Sequence, residues 1–287
     1  MKEEGLVPAG FYAETSVQRR LNPETNELEV VSDWTKSKKE KGADPEAFKN
    51  FIEGLAIEVT PTKPKKSNRK HYSEELGSAI IFGDAHIGML AHAIETLKED
   101  HDLVKATEDI RKAVDYLVAT APASKQGWFI NVGDFVHVNG TTNTTFGGTK
   151  QDVSGNYYQV MRAAGTTLRY CIDRMLTKFE KVTVINARGN HDRDSAFALN
   201  FFLEAAYEQE PRVEIQGNDA KFNFIEFGKC LIGVNHGDGI NASRLAGVMT
   251  RLAAEPWGRT SFKRWWTGHI HHKVAQEHDS GVTIESF

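Results

Sequence analysis

A short apolar run that breaks off near a glycine and delivers aspartate, asparagine or histidine recurs five times in this chain. No other feature restricts its fold so far. The runs are Ala79-Ile80-Ile81-Phe82 before Gly83-Asp84-Ala85-His86, Trp128-Phe129-Ile130 before Gly133-Asp134, and Val182-Thr183-Val184-Ile185 before Gly189-Asn190-His191-Asp192. Cys230-Leu231-Ile232 precedes His236-Gly237, and Trp265-Trp266-Thr267 precedes Gly268-His269-Ile270-His271. Runs of this length and composition read as buried strands. Glycine lets the backbone turn tightly at a strand exit. In extended backbone, residues two apart share a face, so Asp84 with His86 and His269 with His271 each point the same way. Carboxylate oxygens and imidazole nitrogens converging at such a point suit a divalent metal. Of the 11 histidines, His86, His191, His236, His269 and His271 fall in these stretches, which a scatter of core histidines would not produce.

Helical periodicity fills the intervals. The spacing predicts a helix from Ala91 to Thr120 with Leu97, His101, Val104, Ile110, Val114 and Leu117 on one face. A second runs from Asn156 to Phe179, burying Cys171, and a third from Ser195 to Glu208 with Phe197, Leu199, Phe201 and Phe202 as core candidates. Further strands follow: Val213–Ile215, and Phe222–Phe227 joined to Cys230–Asn235 by a Gly228-Lys229 hairpin turn. Asn241 is placed to cap a helix over Ala242–Ala254. Strands alternating with helices predict an α/β fold. At the carboxyl edge of such a sheet, ligands bind. The loop 137–158, rich in Gly, Thr and Asn, leaves directly from Asp134 and is read as facing substrate, with His137 within reach of the pocket. His92 and His101 are read as packed or solvated rather than as ligands. The closing run, Val282–Phe287, has strand character, so the natural chain is expected to continue.

Residues 1–77 differ from the remainder. Leu28–Val31 reads as a short strand, and Asp44-Pro45 opens a helix that Gly54 stops. Residues 61–70, basic and with two prolines, read as a linker, with a phosphate-binding arm as the alternative. The expected division is therefore an N-terminal extension, 1–77, and a catalytic domain, 78–287. A net charge of -4 gives no global attraction for nucleic acid or a membrane surface. Two cysteines make neither a zinc pattern nor a disulfide framework. No apolar run approaches a membrane span, and Met1-Lys2-Glu3-Glu4 lacks a signal-peptide core, so a cytoplasmic location is expected.

The ordered blocks Asp84-Ala85-His86, Gly133-Asp134, Gly189-Asn190-His191-Asp192, His236 and Gly268-His269-Ile270-His271 resemble those of the calcineurin-like metallophosphoesterases, over about residues 78 to 272. The family includes protein phosphatases, purple acid phosphatases, cyclic-nucleotide phosphodiesterases and DNA-repair nucleases. The resemblance implies two facing mixed β-sheets flanked by helices, a four-layer sandwich. It implies two divalent metal ions, manganese first and iron or zinc as alternatives. One would be held by Asp84, His86, Asp134 and His271, the other by Asp134, Asn190, His236 and His269. It further implies phosphate-ester hydrolysis by a metal-bridging hydroxide, with His191 as general acid and Asp192 orienting it.

The second block departs from the protein-phosphatase pattern: Gly133-Asp134-Phe135-Val136-His137 lacks that pattern's later Asp and its phosphate-gripping Arg. Lys150 and Arg162 are candidate replacements. The expectation leans to a phosphodiesterase or nuclease, with nucleic acid a candidate partner. A phosphomonoesterase is the alternative, and a non-catalytic scaffold of the same fold comes third. Trp34-Thr35-Lys36 and Asp44-Pro45-Glu46-Ala47 are faintly similar to stretches in phage- or prophage-encoded members. The oligomeric state is not readable from the sequence.

Overall fold

The structure, a computed structural model, describes the backbone of residues 11–21 and 28–39, and residues 72–216, 220–278 and 280–287 in full. The chain divides into two units, Met1–Glu58 and Val59–Phe287. In the first, β1 (Phe11–Leu21) and β2 (Leu28–Lys39) pair antiparallel, so the strand expected at Leu28–Val31 is longer than its apolar residues suggest. The helix expected from Asp44 and the basic stretch 61–70 lie outside the described residues.

The second unit carries two sheets. Four strands, β3 (Ser73–Phe82), β4 (Ser124–Asn131), β5 (Lys181–Asn186) and β6 (Val213–Ile215), form one sheet in that order. All of its pairings are parallel, where the resemblance implies a mixed sheet. The connections explain this. Helices α1 (Leu103–Thr120), α2 (Tyr157–Leu176) and α3 (Arg193–Tyr207) each return the chain to the same end of the sheet. The second sheet is mixed. It contains β7 (Asn223–Phe227), β8 (Cys230–Val234), β9 (Phe262–Thr267), β10 (Val274–Glu277) and β11 (Val282–Ser286) in the order β10-β11-β9-β8-β7. The β7–β8 hairpin turns at Gly228-Lys229, as expected. The helix expected over Ala242–Ala254 is instead a 3-10 turn (Ala242–Arg244), α4 (Leu245–Leu252) and α5 (Ala254–Arg259).

Strand alternation sorts the core into three clusters. Ile80, Phe129, Val182 and Val184 pack with residues of α1, α2 and α3. Their neighbours Ile81, Trp128, Ile130 and Ile185 pack with Ile225, Ile232, Val234 and Trp266 of the second sheet. Leu231, Trp265, Val282 and Ile284 pack with Leu245 and Met249 of α4. Each fully buried large side chain contributes about 1.5–3 kcal/mol.

Two helix faces differ from expectation. The run from Ala91 is interrupted. Asp102, accepting from the Lys105 N–H, starts α1 afresh and moves its buried stripe to Ala106, Ile110, Val114 and Val118. Leu97, Val104 and Leu117 are exposed. On α3 the buried residues include Ser195, Ala196, Leu199, Asn200 and Leu203, while Phe197 and Phe201 face outward.

Candidate metal centre

The chain leaves the carboxyl ends of β3, β4, β5, β8 and β9 in five loops that bond to one another. Asp84 N–H donates to the Gly133 carbonyl at 3.3 Å, His86 N–H to the Asp134 carbonyl at 3.0 Å, and Gly268 N–H to the His236 carbonyl at 2.9 Å. Two expected ligands also accept backbone hydrogens: Asp134 Oδ1 from His191 N–H at 2.7 Å and Asp84 Oδ2 from His269 N–H at 2.8 Å. Each bond fixes one carboxylate oxygen and leaves the other for a different partner.

The loops are strained. Among the described residues, seven non-glycine residues have positive φ, and five of these are Asp84, His86, Asp134, His269 and His271. Such backbone costs about 1–3 kcal/mol per residue and persists where surrounding contacts enforce it. The glycines leave no room for a side chain. At Gly133 (φ +113°) a Cβ would meet the His236 ring, and at Gly189 it would meet Asp134 Oδ1.

Side-chain geometry forms connected groups. Asp84 Oδ1 lies 3.4 Å from His271 Nε2 and 4.0 Å from His86 Nε2, and the two imidazoles are 3.5 Å apart. His236 Nε2 lies 3.1 Å from Asp134 Oδ2 and 3.0 Å from Asn190 Oδ1. Ligand atoms of Asp84, Asp134 and His236 converge as well, joining the groups. The His269 ring sits 5.0 Å from that of His236. The structure thus brings Asp84, His86 and His271 together on one side, and Asp134, Asn190 and His236 on the other, with His269 beside the second.

A third group, His86, His137 and His191, goes beyond the expected ligands. His137 is buried, and its Nδ1 lies 3.2 Å from His86 Nδ1. Its carbonyl oxygen lies 2.9 Å from His191 Nδ1, and the two rings stack at 5.3 Å. A carbonyl only accepts, so this contact places the His191 ring hydrogen on Nδ1. The sequence reading has Asp192 orient that ring; the His137 carbonyl holds it instead. The fully buried carboxylate of Asp192 accepts from Gly189 N–H at 2.9 Å and Val136 N–H at 3.1 Å. It ties two loops together because those backbone donors have no strand to pair with.

Below the loops, the sequence reading missed a buried amide network. Asn131 donates to Asn186 Oδ1 at 2.8 Å, Asn186 donates to Asn200 Oδ1 at 3.0 Å, and Asn131 Oδ1 accepts from Gly133 N–H. A signal existed: β4 and β5 both end in asparagine, paired in register. Of the candidate phosphate binders, Lys150 is exposed and closes its loop by pairing with Thr144, while Arg162 lies exposed on α2.

Electrostatics without metal follow from burial. It pushes His86 down to about 3 and His137 down to about 4, with the neighbouring His191 lowering both further. Burial, then the charge of Asp134, pushes Asp192 up to about 7. Burial also raises Asp84. It opposes charge on Asp134 and His236 too, yet their mutual hydrogen bond holds the carboxyl below and the imidazole above their usual ranges. The donors fit divalent metal. Asp84 Oδ1 is buried without a hydrogen-bond partner, and the nitrogen and oxygen donors carry no thiolate among them. That donor chemistry suits manganese, iron or zinc.

No family model matches the chain, and no curated protein does. Among solved structures, a single mutant of Vps29 from Entamoeba histolytica is similar at 14% identity and a TM-score of 0.31, over 72% of each chain. Among the described residues, no helix is long and apolar enough to cross a membrane.

Proposed function

We propose that this chain is a phosphoesterase of the calcineurin-like class that uses two divalent metal ions and acts on phosphodiesters. The observation that carries the reading is the convergence of six of the seven expected ligands from five strand ends, with the His269 ring beside them, and the left-handed backbone at five of the seven. Asp84, His86, Asp134 and His271 would hold one ion. Asp134, Asn190, His236 and His269 would hold the other. When bound, such a pair polarises a phosphate ester and lowers the pKa of water toward neutrality. Core clusters on both faces of each sheet favour the helix–sheet–sheet–helix order for the catalytic domain, residues 78–287. Two free cysteines, one buried in α2, suit a cytoplasmic location.

The chain's own residues do the remaining chemistry. With its Nδ1 hydrogen held by the His137 carbonyl, His191 presents Nε2 as the atom that passes a proton to the leaving oxygen. Asp192 fixes the backbone that carries His191 by holding Gly189 and Val136. His137 faces His86 Nδ1, so it supports the ligand histidine from behind and leaves Nε2 for metal. The missing phosphatase arginine after Asp134 favours a diester over a monoester.

The test is hydrolysis of bis-p-nitrophenyl phosphate against p-nitrophenyl phosphate with manganese, then with chelator. Chelator-sensitive diester cleavage supports the reading. Preference for the monoester moves it to a phosphomonoesterase. Two bound metals without turnover of either ester point to a scaffold.

A further inference from the structure

Exposed aromatic rings stand beside the loop that carries Asn190 and His191 and along the helix that follows it. Phe146, in the long loop after Asp134, is 49% exposed, yet its N–H donates to the Asn190 carbonyl at 3.2 Å. The loop is a defined structure. Thr145 N–H donates to the Thr149 carbonyl at 2.8 Å, and Asn139 exchanges two 2.7 Å hydrogen bonds with Asp194 at the start of α3. Over the Phe146 ring, 4.6 Å from its centre, lies the guanidinium of Arg193, exposed and in no ion pair among the described residues. From Arg193 the row continues along α3 at i+4 and i+8, with Phe197 61% exposed and Phe201 66% exposed. Residues so spaced share one face of a helix. Glu204 and Glu208 follow, also exposed, and end the row with negative charge.

Exposed phenylalanine normally costs solubility, so a row of three rings with an unpaired cation between them calls for an occupant. An occupant suited to this face is anionic where Arg193 stands and flat where the rings stand, and Phe146 and Arg193 bring one end of it beside Asn190 and His191. Four residues of helix advance about 6 Å, so neighbouring bases on Phe197 and Phe201 must part from the roughly 3.4 Å spacing of a duplex. A single strand permits that; a stacked duplex does not.

We propose that Phe146, Arg193, Phe197 and Phe201 form a binding platform for single-stranded nucleic acid, which leads the strand's phosphodiester to the metal centre. The rings stack bases and Arg193 contacts a phosphate, a division of labour that tolerates any sequence. Glu204 and Glu208 limit the platform to about three nucleotides. This rests on the phosphodiesterase reading above.

The experiment is fluorescence anisotropy of a fluorescein-labelled dT8 strand with the full chain in EDTA, where no cleavage is needed, alongside the chelator-controlled diester assay on the wild-type protein. Phe197→Ala, at an exposed position, is expected to weaken dT8 binding about tenfold, with Phe197→Trp restoring it and Phe197→Leu not. Arg193→Gln should reduce the slope of log affinity against log salt by about one. Affinity for an eight-base-pair duplex equal to that for dT8, or equal dT8 binding by wild type and Phe197→Ala, overturns the platform. A concentration-dependent dimer that Phe197→Ala abolishes, without dT8 binding, also overturns it and assigns the face to a second copy. Ring-dependent dT8 binding with no diester turnover by wild type leaves the platform standing and removes the enzymatic reading. Diester turnover with ring-independent dT8 binding does the reverse.

Discussion

The parallel sheet and the mixed sheet build their sides of the candidate metal centre differently. From the parallel sheet come His86 and Asp134, both buried, on loops bonded to each other backbone to backbone. From the mixed sheet comes one buried histidine, His236, and then His269 and His271 on an exposed loop with Ile270 and His272. That loop is tied back by Gly268 N–H and by His269 N–H, which meets Asp84. The difference follows from the topology. Helical crossovers cover the first sheet and enclose its loop starts, whereas β9 runs into a loop that returns to β10 at an edge of its sheet. One side of the centre is therefore formed before anything binds. The other is open to water.

The largest effect should come from Asp134, which touches both sides. Loss of partners that merely support a ligand costs about 10- to 100-fold in metal affinity, so Asp134→Asn should cost more than that and abolish turnover. Metal analysis after gel filtration checks it; full occupancy in the variant would remove Asp134 from the centre. His191→Ala should behave otherwise. It keeps its metals and loses about 10²- to 10⁴-fold in turnover, because it moves a proton and holds no ion in this reading. Near-normal turnover would exclude that role.

The strand ends were readable because their signal is local: an apolar run, a glycine and a polar pair occupy a few adjacent residues. Where the reading failed, a distant partner decided the outcome. Asp192 sits beside His191 in sequence, but its hydrogen bonds go to Gly189 and, across the fold, to Val136. His137 was expected within reach of the pocket and lies there, but its partner His86, 51 positions earlier, was not legible. On α3, large aromatics were expected inside. Instead Asn200 takes a buried position because Asn186 supplies its hydrogen bonds, and that rotates Phe197 and Phe201 outward. A single residue, Asp102, shifted the α1 stripe by restarting the helix.

The contrast between the sheets can be sharpened by removing one histidine from each. His86 is buried at the foot of the first group, and His271 reaches the same group from an exposed loop. His86→Ala should weaken manganese binding by about 100-fold or more and His271→Ala by about tenfold, since water can replace an exposed ligand at less cost. Calorimetric titration of both variants decides it. Equal losses would mean that exposure does not distinguish the two sides.

The smallest effect concerns the metal-free protein in acid. His86 and His137 are pushed down to about 3 and about 4 from an ordinary 6.5, chiefly by burial. Between pH 6.5 and about 4 the unfolded chain binds protons there that the folded chain refuses, so stability falls as pH falls. Asp192 acts in the opposite sense. Its carboxyl is pushed up to about 7 from 3.8, so the folded chain binds that proton first and acidification through this window adds stability. Asp84 and His236, both held above their ordinary values, act in the same sense as Asp192, so the two histidines are read by comparing proteins and not from the net slope. His137→Phe keeps a planar ring and removes one of the two depressed histidines, so between pH 7.5 and pH 5 its thermal midpoint should fall less, or rise more, than that of the wild type. A midpoint that shifts equally in both proteins would show that acid acts elsewhere, and that the parallel-sheet side is not where this fold resists charge.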